Sequence, residues 1–173
     1  IINGKFIGNN VTSGSKNATA GAIRNSGGLV NILNADFEGN SAISESGIAS
    51  GGAIYNNNNG LINEISGDFT SNYISSNGSY SMGGAIYNAG DGSTIKNING
   101  DFTSNYAYSA ADEVYGGALM NNGGTIERVS GNFTNNYARS DSKSVYGGAI
   151  FNEGGGTLNV IADDNDIVFS GNY

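Results

Sequence analysis

Residues 69–86 read FTSNYISSNGSYSMGGAI, and two tetrapeptides in this stretch recur along the whole chain of 173 residues. The first is Phe-x-x-Asn, which begins at Phe6, Phe37, Phe69, Phe102, Phe133 and Phe169. The second is Gly-Gly-Ala-Ile or a close variant, which begins at Ala20, Gly51, Gly83, Gly116 and Gly147. Each second tetrapeptide begins 14 residues after a Phe, whereas the way back to the next Phe takes 17 to 22 residues. The sequence is therefore a repeat in which one segment has a fixed length and the other accepts insertions.

Inward and outward residues alternate ahead of each Phe, as in a β-strand with one buried face. In the second repeat, Leu33, Ala35 and Phe37 share one side. The small residues two places before Phe6, Phe69, Phe102 and Phe133, which we interpret as leaving room for the Phe rings, are Gly4, Gly67, Gly100 and Gly131. The Gly-Gly-Ala-Ile segment alternates likewise, so each repeat is predicted to contain three short strands separated by turns rich in Gly and Asn.

A repeat of 31 to 33 residues is too short to bury its own apolar face, and stacking the repeats on one another solves this problem. The sequence predicts an all-β fold, a parallel β-solenoid of about five rungs with equivalent residues ~4.8 Å apart on successive rungs. We expect one domain over residues 1–173, with repeat units at approximately 6–36, 37–68, 69–101, 102–132 and 133–168.

Stacking predicts columns of identical residues with a structural role. The Phe residues form an inner column of the solenoid. Asparagines are expected on the outside of the bends, where their amides can hydrogen-bond along the stack. One Asn column comes from Phe-x-x-Asn and contains Asn40, Asn72, Asn105 and Asn136, and a second contains Asn25, Asn56, Asn88, Asn121 and Asn152.

The composition excludes several classes of function. The chain has no Cys and no His, so it cannot form a thiolate or imidazole metal site, a Cys nucleophile or a Ser-His-Asp triad. We expect no cofactor and no enzymatic activity. Seven basic residues against 15 acidic ones give a net charge of -8, which repels phosphate backbones. Nucleic acid is therefore not an expected partner.

The alternation of GGA(I/L) with FxxN resembles the passenger regions of the chlamydial polymorphic outer membrane proteins and of related autotransporters. GGAI occurs at residues 51, 83 and 147, GGAL occurs at residue 116, and FxxN occurs six times. The resemblance implies a right-handed parallel β-helix at the bacterial cell surface, secreted through the type V route and engaged in adhesion. It also implies an excerpt of a longer passenger, attached to the membrane only through a C-terminal β-barrel outside this sequence.

Three carboxylates occupy the position immediately before Phe, namely Asp36, Asp68 and Asp101. On adjacent rungs they would lie about 5 Å apart, a separation used by retaining glycosidases. Their mutual repulsion could also recruit Ca²⁺. The alternation points them outward, and a solvated acidic stripe is the simpler interpretation.

A second acidic group, Asp163, Asp164 and Asp166, falls in the longest return segment. It is a candidate Ca²⁺ loop, although it lacks the ligand order of the EF-hand. A polar insertion loop explains the same residues.

An aromatic and apolar column follows the inward Ile of each Gly-Gly-Ala-Ile segment and contains Tyr55, Tyr87, Met120 and Phe151, with Arg24 at its start. Pointing outward, it would offer a flat surface for sugar rings or for an apolar patch of a partner. Burial under a neighbouring loop or domain is the alternative. A second column, Tyr73, Tyr106, Tyr137 and Tyr173, is interpreted as structural stacking at a bend.

Together these features favour a rigid adhesive stalk that contacts a receptor or glycan on a host cell or a neighbouring cell. Two alternatives remain at this stage. One is a surface fibre that assembles from this chain end to end. The other is a β-helix enzyme that acts on polysaccharides.

Overall fold

A computed structural model describes residues 2–163 and 166–173. Within these ranges the chain forms β-strands and no helix, and all the paired strands run parallel. None of the described residues forms a helix long and apolar enough to cross a membrane. The strands stack as a β-solenoid of about five coils, which confirms the predicted fold class.

The largest sheet, sheet A, contains the strand before each Phe and the Phe itself. In the second coil these residues form one long strand, and in the later coils the strand breaks just before Phe. Sheet A comprises β1 (Ile2–Ile7), β5 (Leu29–Glu38), β9 (Leu61–Ser66), β10 (Phe69–Thr70), β14 (Thr94–Asn99), β15 (Phe102–Thr103), β19 (Thr125–Val129), β20 (Phe133–Thr134), β24 (Thr157–Val160) and β25 (Phe169–Ser170).

Three further sheets contribute one strand to each of the five coils. Sheet B comprises β2 (Asn10–Ser13), β6 (Ser41–Ser44), β11 (Tyr73–Ser76), β16 (Tyr106–Ser109) and β21 (Tyr137–Ser140). Sheet C comprises β3 (Ala18–Thr19), β7 (Ala49–Ser50), β12 (Ser81–Met82), β17 (Val114–Tyr115) and β22 (Val145–Tyr146). Sheet D comprises β4 (Ile23–Ser26), β8 (Ile54–Asn57), β13 (Ile86–Ala89), β18 (Leu119–Asn122) and β23 (Ile150–Glu153).

The coils thus contain four or five strands each, where the sequence predicted three. The difference arises from the two-residue strands of sheet C, which are too short to show an alternation, and from the break before Phe. In the third, fourth and fifth coils the break includes a glycine, namely Gly67, Gly100 or Gly131.

Phe stacks on Phe through the centre of the solenoid. Ring centroids of successive Phe residues lie 4.6–5.0 Å apart, and their planes deviate from parallel by 5° at most. Phe37, Phe69, Phe102 and Phe133 have no exposed surface. Aliphatic residues on sheets A and D pack beside the rings, including Ile65 and Ile86. This column is the predicted core, and each buried ring contributes about 1.5–3 kcal/mol through the surface that it removes from water.

The asparagine columns are buried inside the solenoid except at Asn152 in the fifth coil, so their predicted place on the outside of the bends is wrong. Asn40, Asn72, Asn105 and Asn136 have no exposed surface, and neither have Asn56, Asn88 and Asn121. An amide can be buried without loss here because the equivalent amide of the next coil supplies its partner. Asn56 Nδ2, for example, donates to Asn88 Oδ1 at 2.8 Å and to the Gly60 carbonyl at 2.9 Å.

The double glycine of each Gly-Gly-Ala-Ile segment forms the bend between sheets C and D. Gly83 has a φ of 70°, in the left-handed region that glycine adopts without strain. A Cβ on Gly84 would overlap the carbonyl oxygen of Gly117 in the next coil. The first glycine is therefore required by the backbone conformation of its own coil, and the second by the close approach of the next coil.

Three of the glycines two places before Phe, namely Gly67, Gly100 and Gly131, have a similar explanation, which differs from the predicted one, whereas a Cβ on Gly4 would meet no atom within 4 Å. A Cβ on Gly100 would overlap the carbonyl oxygen of Gly67 in the preceding coil. The neighbouring backbone, and not the Phe ring, therefore excludes a side chain at this position.

Candidate functional site

The outer faces of sheets C and D meet at the Gly-Gly bend, and their side chains form a surface along this bend that we call the corner groove. Each sheet contributes one column of outward side chains. The column from sheet C is Thr19, Ser50, Met82, Tyr115 and Tyr146, and the column from sheet D is Arg24, Tyr55, Tyr87, Met120 and Phe151. The two columns touch across the bend: the Phe151 ring centroid lies 5.3 Å from that of Tyr115 and 5.5 Å from that of Tyr146.

The predicted aromatic column therefore points outward, yet its middle is covered. Tyr87 retains 8% of its surface and Met120 none, while Tyr55 and Phe151 are half-buried. The rings of Tyr55 and Tyr87 stack at 5.2 Å with an interplanar angle of 13°. Because these two rings face each other, they offer mainly their edges and hydroxyl groups to a ligand. The predicted flat stacking surface for sugar rings is not present along this part of the column.

Aromatic residues of sheet C belong to the same groove and were not among the predicted site residues. Tyr115 stacks on Tyr146 at 5.2 Å, and Tyr80 lies 6.2 Å from Tyr115 in a tilted arrangement. Tyr115 and Tyr146 each stand immediately before a Gly-Gly pair, as Met82 does. Their position before Gly-Gly could have identified them from the sequence, because a residue next to a fixed bend points in the same direction in every coil.

Burial and carboxylates suppress ionisation of the groove tyrosines. Burial, reinforced by the nearby Tyr55, raises the pKa of Tyr87 to about 12. Burial also raises the pKa of Tyr115, and the hydrogen bond that its hydroxyl donates to Glu113 raises it further. Both hydroxyl groups therefore keep their protons further into the alkaline range than an ordinary tyrosine, and the Tyr115 hydroxyl donates a hydrogen bond to Glu113.

At the first two coils the groove opens into a cavity of about 400 Å³. It is lined by Lys16, Asn17, Thr19, Arg24 and Tyr55. The Arg24 guanidinium carbon lies 5.7 Å from the centre of the Tyr55 ring. The groove thus changes along its length, from polar and cationic at the first coil to aromatic at the fifth.

The carboxylates before Phe lie in a line on the outer face of sheet A, where they bind backbone. Asp36 Oδ1 accepts the N–H of Asp68 at 3.2 Å, and Asp68 Oδ1 accepts the N–H of Asp101 at 2.9 Å. Asp101 Oδ1 in turn accepts the N–H of Asn132 at 2.8 Å. Each carboxylate therefore ties its own coil to the next one.

At the first of these positions, Asp36 also pairs with Lys5 at 3.1 Å. The hydrogen bond from Lys5, together with the N–H of Asp68, lowers the pKa of Asp36. This end of the column is consequently ionised and paired at neutral pH.

The second acidic group is only partly described. Asp163 forms an ion pair with Arg128, and that hydrogen bond lowers the pKa of Asp163. Asp166 is exposed, and Asp164 lies outside the described residues. Across residues 2–163 and 166–173, no group of three or more acidic side chains is arranged to hold a metal ion.

The second tyrosine column stacks on the outer face of sheet B. Tyr106 and Tyr137 stack at 5.0 Å, and Tyr137 lies 4.4 Å from Tyr173 at an angle of 43°. Beside them, Tyr108 donates a hydrogen bond to Asp141 at 2.7 Å. Arg139 lies over the Tyr108 ring at 5.9 Å and pairs with Asp141 at 2.8 Å. The charges of this cluster are satisfied within it.

Comparison of the chain with protein-family models, curated proteins and solved structures finds no match.

Proposed function

We propose that this chain is a segment of an extracellular bacterial surface protein, a rigid stalk that adheres to glycans of a host or neighbouring cell through the corner groove. The observation that carries the proposal is the groove itself. Its two columns of side chains extend over all five coils, they combine stacked aromatic edges with hydroxyl groups, and they border a polar cavity at the first two coils. Binding sites for carbohydrates need such a mixture of apolar contact and hydrogen-bonding groups.

Rigidity supports the same proposal. The buried Phe and Asn columns fix each coil against the next, so outward side chains repeat about 5 Å apart along a stiff axis. Weak contacts held at fixed spacing add through avidity when the opposing surface is also repetitive. In this proposal the chain binds a glycan and leaves it intact.

Adhesion of beads coated with the purified chain to surfaces that carry defined polysaccharides tests the proposal. We expect retention of the unaltered chain and a loss of about tenfold for the double variant Tyr55→Ala/Phe151→Ala, because it removes the two half-buried rings that sheet D contributes to the groove. The matched control, Tyr106→Ala/Tyr137→Ala, removes two stacked rings from sheet B and should change retention less than about twofold.

Equal losses in the two variants, or no retention of the unaltered chain on any glycan, would contradict the proposal. The length of the glycan before and after contact provides the second readout. A glycan that is shorter after contact would support an enzyme instead.

A further inference from the structure

Charge is distributed unevenly along the solenoid. The first 35 residues contain three of the seven basic residues, Lys5, Lys16 and Arg24, and none of the fifteen acidic ones. Lys5 pairs with Asp36. Among the described residues, no carboxylate lies within 4.0 Å of the Lys16 ammonium or the Arg24 guanidinium. Two uncompensated cations therefore face one cavity in a chain whose net charge is -8.

Arg24 differs from the similarly placed Arg139. Both guanidinium groups lie over a tyrosine ring, at 5.7 Å and 5.9 Å respectively. Arg139 is neutralised by Asp141, whereas Arg24 has no such partner among the described residues. Contact with the Tyr55 ring restricts the guanidinium plane while its N–H groups stay available. Arg24 is thus held in position for an anion that this part of the chain does not provide.

The remaining walls of the cavity offer neutral polar groups. Thr19 and Tyr55, each of which carries a hydroxyl group, are among the lining residues. Asn17 uses its side-chain oxygen to accept the Ile48 N–H at 3.0 Å, which directs the amide and leaves its Nδ2 as a donor. The volume of about 400 Å³ belongs to a depression that is largely open to solvent.

We propose that this cavity binds the carboxylate of an acidic sugar at the end of a glycan chain, with Arg24 and Lys16 as the groups that recognise the charge. The inference rests on the proposed function, since it names the glycan that the corner groove would bind. A planar carboxylate matches the paired N–H groups of a guanidinium. A polymer with many anionic groups fits less well, because the rest of the chain is strongly acidic and repels it.

Calorimetric titration with sialyllactose, which carries one carboxylate, and with lactose, its neutral counterpart, tests the proposal. We expect sialyllactose to bind at least about tenfold more tightly than lactose. Arg24→Ala should remove most of this preference, Arg24→Lys should retain part of it, and Lys16→Ala should weaken it. Arg139→Ala is the matched control and should leave both affinities within about twofold. Arg24 and Arg139 are exposed, so thermal unfolding should be unchanged in these variants.

Equal affinity for the two sugars, no binding of either, or equal losses in Arg24→Ala and Arg139→Ala would overturn the inference. A sulfated disaccharide that binds more tightly than sialyllactose would also overturn it. Bead adhesion separates this failure from failure of the proposed function. Retention that survives Arg24→Ala would leave the adhesive stalk in place without the acidic-sugar site.

Discussion

The side-chain oxygen of Asn105 accepts two hydrogen bonds from Asn72 in the preceding coil, one from its backbone N–H and one from Nδ2, both at 3.0 Å. Asn105 Nδ2 in turn donates to the Phe69 carbonyl and to Asn136 Oδ1, each at 2.9 Å. One buried side chain therefore satisfies backbone groups of the preceding coil and continues a ladder along the axis.

Replacement of Asn105 by Ala should destabilise the protein by about 3 kcal/mol, because it leaves the Asn72 N–H and the Phe69 carbonyl buried without partners. Asn63→Ala is the control. Its side chain lies on the outer face and donates to Asn31 at 2.9 Å, so we expect a change below about 1 kcal/mol. Urea unfolding gives the free energy of unfolding of both variants. Equal decreases would show that the buried asparagine ladder contributes no more to stability than an exposed hydrogen bond.

Phe102→Ala should cost about 3–5 kcal/mol, since the ring is fully buried between Phe69 and Phe133 and its removal opens a cavity in a middle coil. Phe169→Ala provides the comparison because that ring is 52% exposed and stacks on one side only. Its loss should be less than half as large. If the two variants unfold at the same denaturant concentration, the stacked column does not determine stability.

Gly84→Ala should destabilise the protein by about 3 kcal/mol or more, because the added methyl group meets the Gly117 carbonyl oxygen and separates two coils. Gly14→Ala adds the same group where no atom lies within 4 Å, and it should be neutral within about 0.5 kcal/mol. Thermal unfolding of the two variants distinguishes the effects. A neutral Gly84→Ala would mean that the coils can separate at this bend without loss.

Alkaline pH should weaken the fold through Tyr87. Its pKa is about 12 in the folded protein and near 10 when it is unfolded and exposed. The folded protein thus holds the proton more tightly, and its stabilising contribution is complete below pH 10. Between about pH 10 and pH 12 this contribution is lost, amounting to about 3 kcal/mol.

Unfolding free energies of the unaltered chain and of Tyr87→Phe across this range test the assignment. The variant should lose less stability as the pH rises, because it lacks the ionising group. As a control, both chains are titrated with base in denaturant, and tyrosinate is followed by its near-ultraviolet absorbance. In the unfolded state the variant should differ from the unaltered chain only by the absence of one tyrosine. Parallel pH profiles of the folded proteins would show that Tyr87 does not contribute.

The fold was predictable because its signal is a repeated spacing. Phe69 and Phe102 pair directly in the structure, as their position in the repeat predicts. The location of Asn105 was not predictable in the same way. Whether an amide is buried depends on a partner about one coil away, and Asn is equally common in exposed bends. The short strands of sheet C were not predicted for another reason, because two residues are too few to show an alternation.

The candidate site was predictable only in part. The column containing Tyr55 and Tyr87 followed from alternation, but alternation gives only the direction of a side chain, and the burial of Tyr87 and Met120 depends on which neighbours pack against them. Asp68 was placed on the outer face correctly. Its main partner, the N–H of Asp101, is a backbone group, and sequence patterns carry no information about which side chain such a group binds.

The two asparagine ladders also give the stack a polarity. In both of them each amide oxygen accepts from the coil before it, as in Asn25 to Asn56 and in Asn40 to Asn72. A coil docked upside down would set N–H against N–H, and a coil slipped by one residue would turn its asparagines away from the axis. The ladders therefore favour a single orientation and a single register for each coil, because any other arrangement loses their hydrogen bonds.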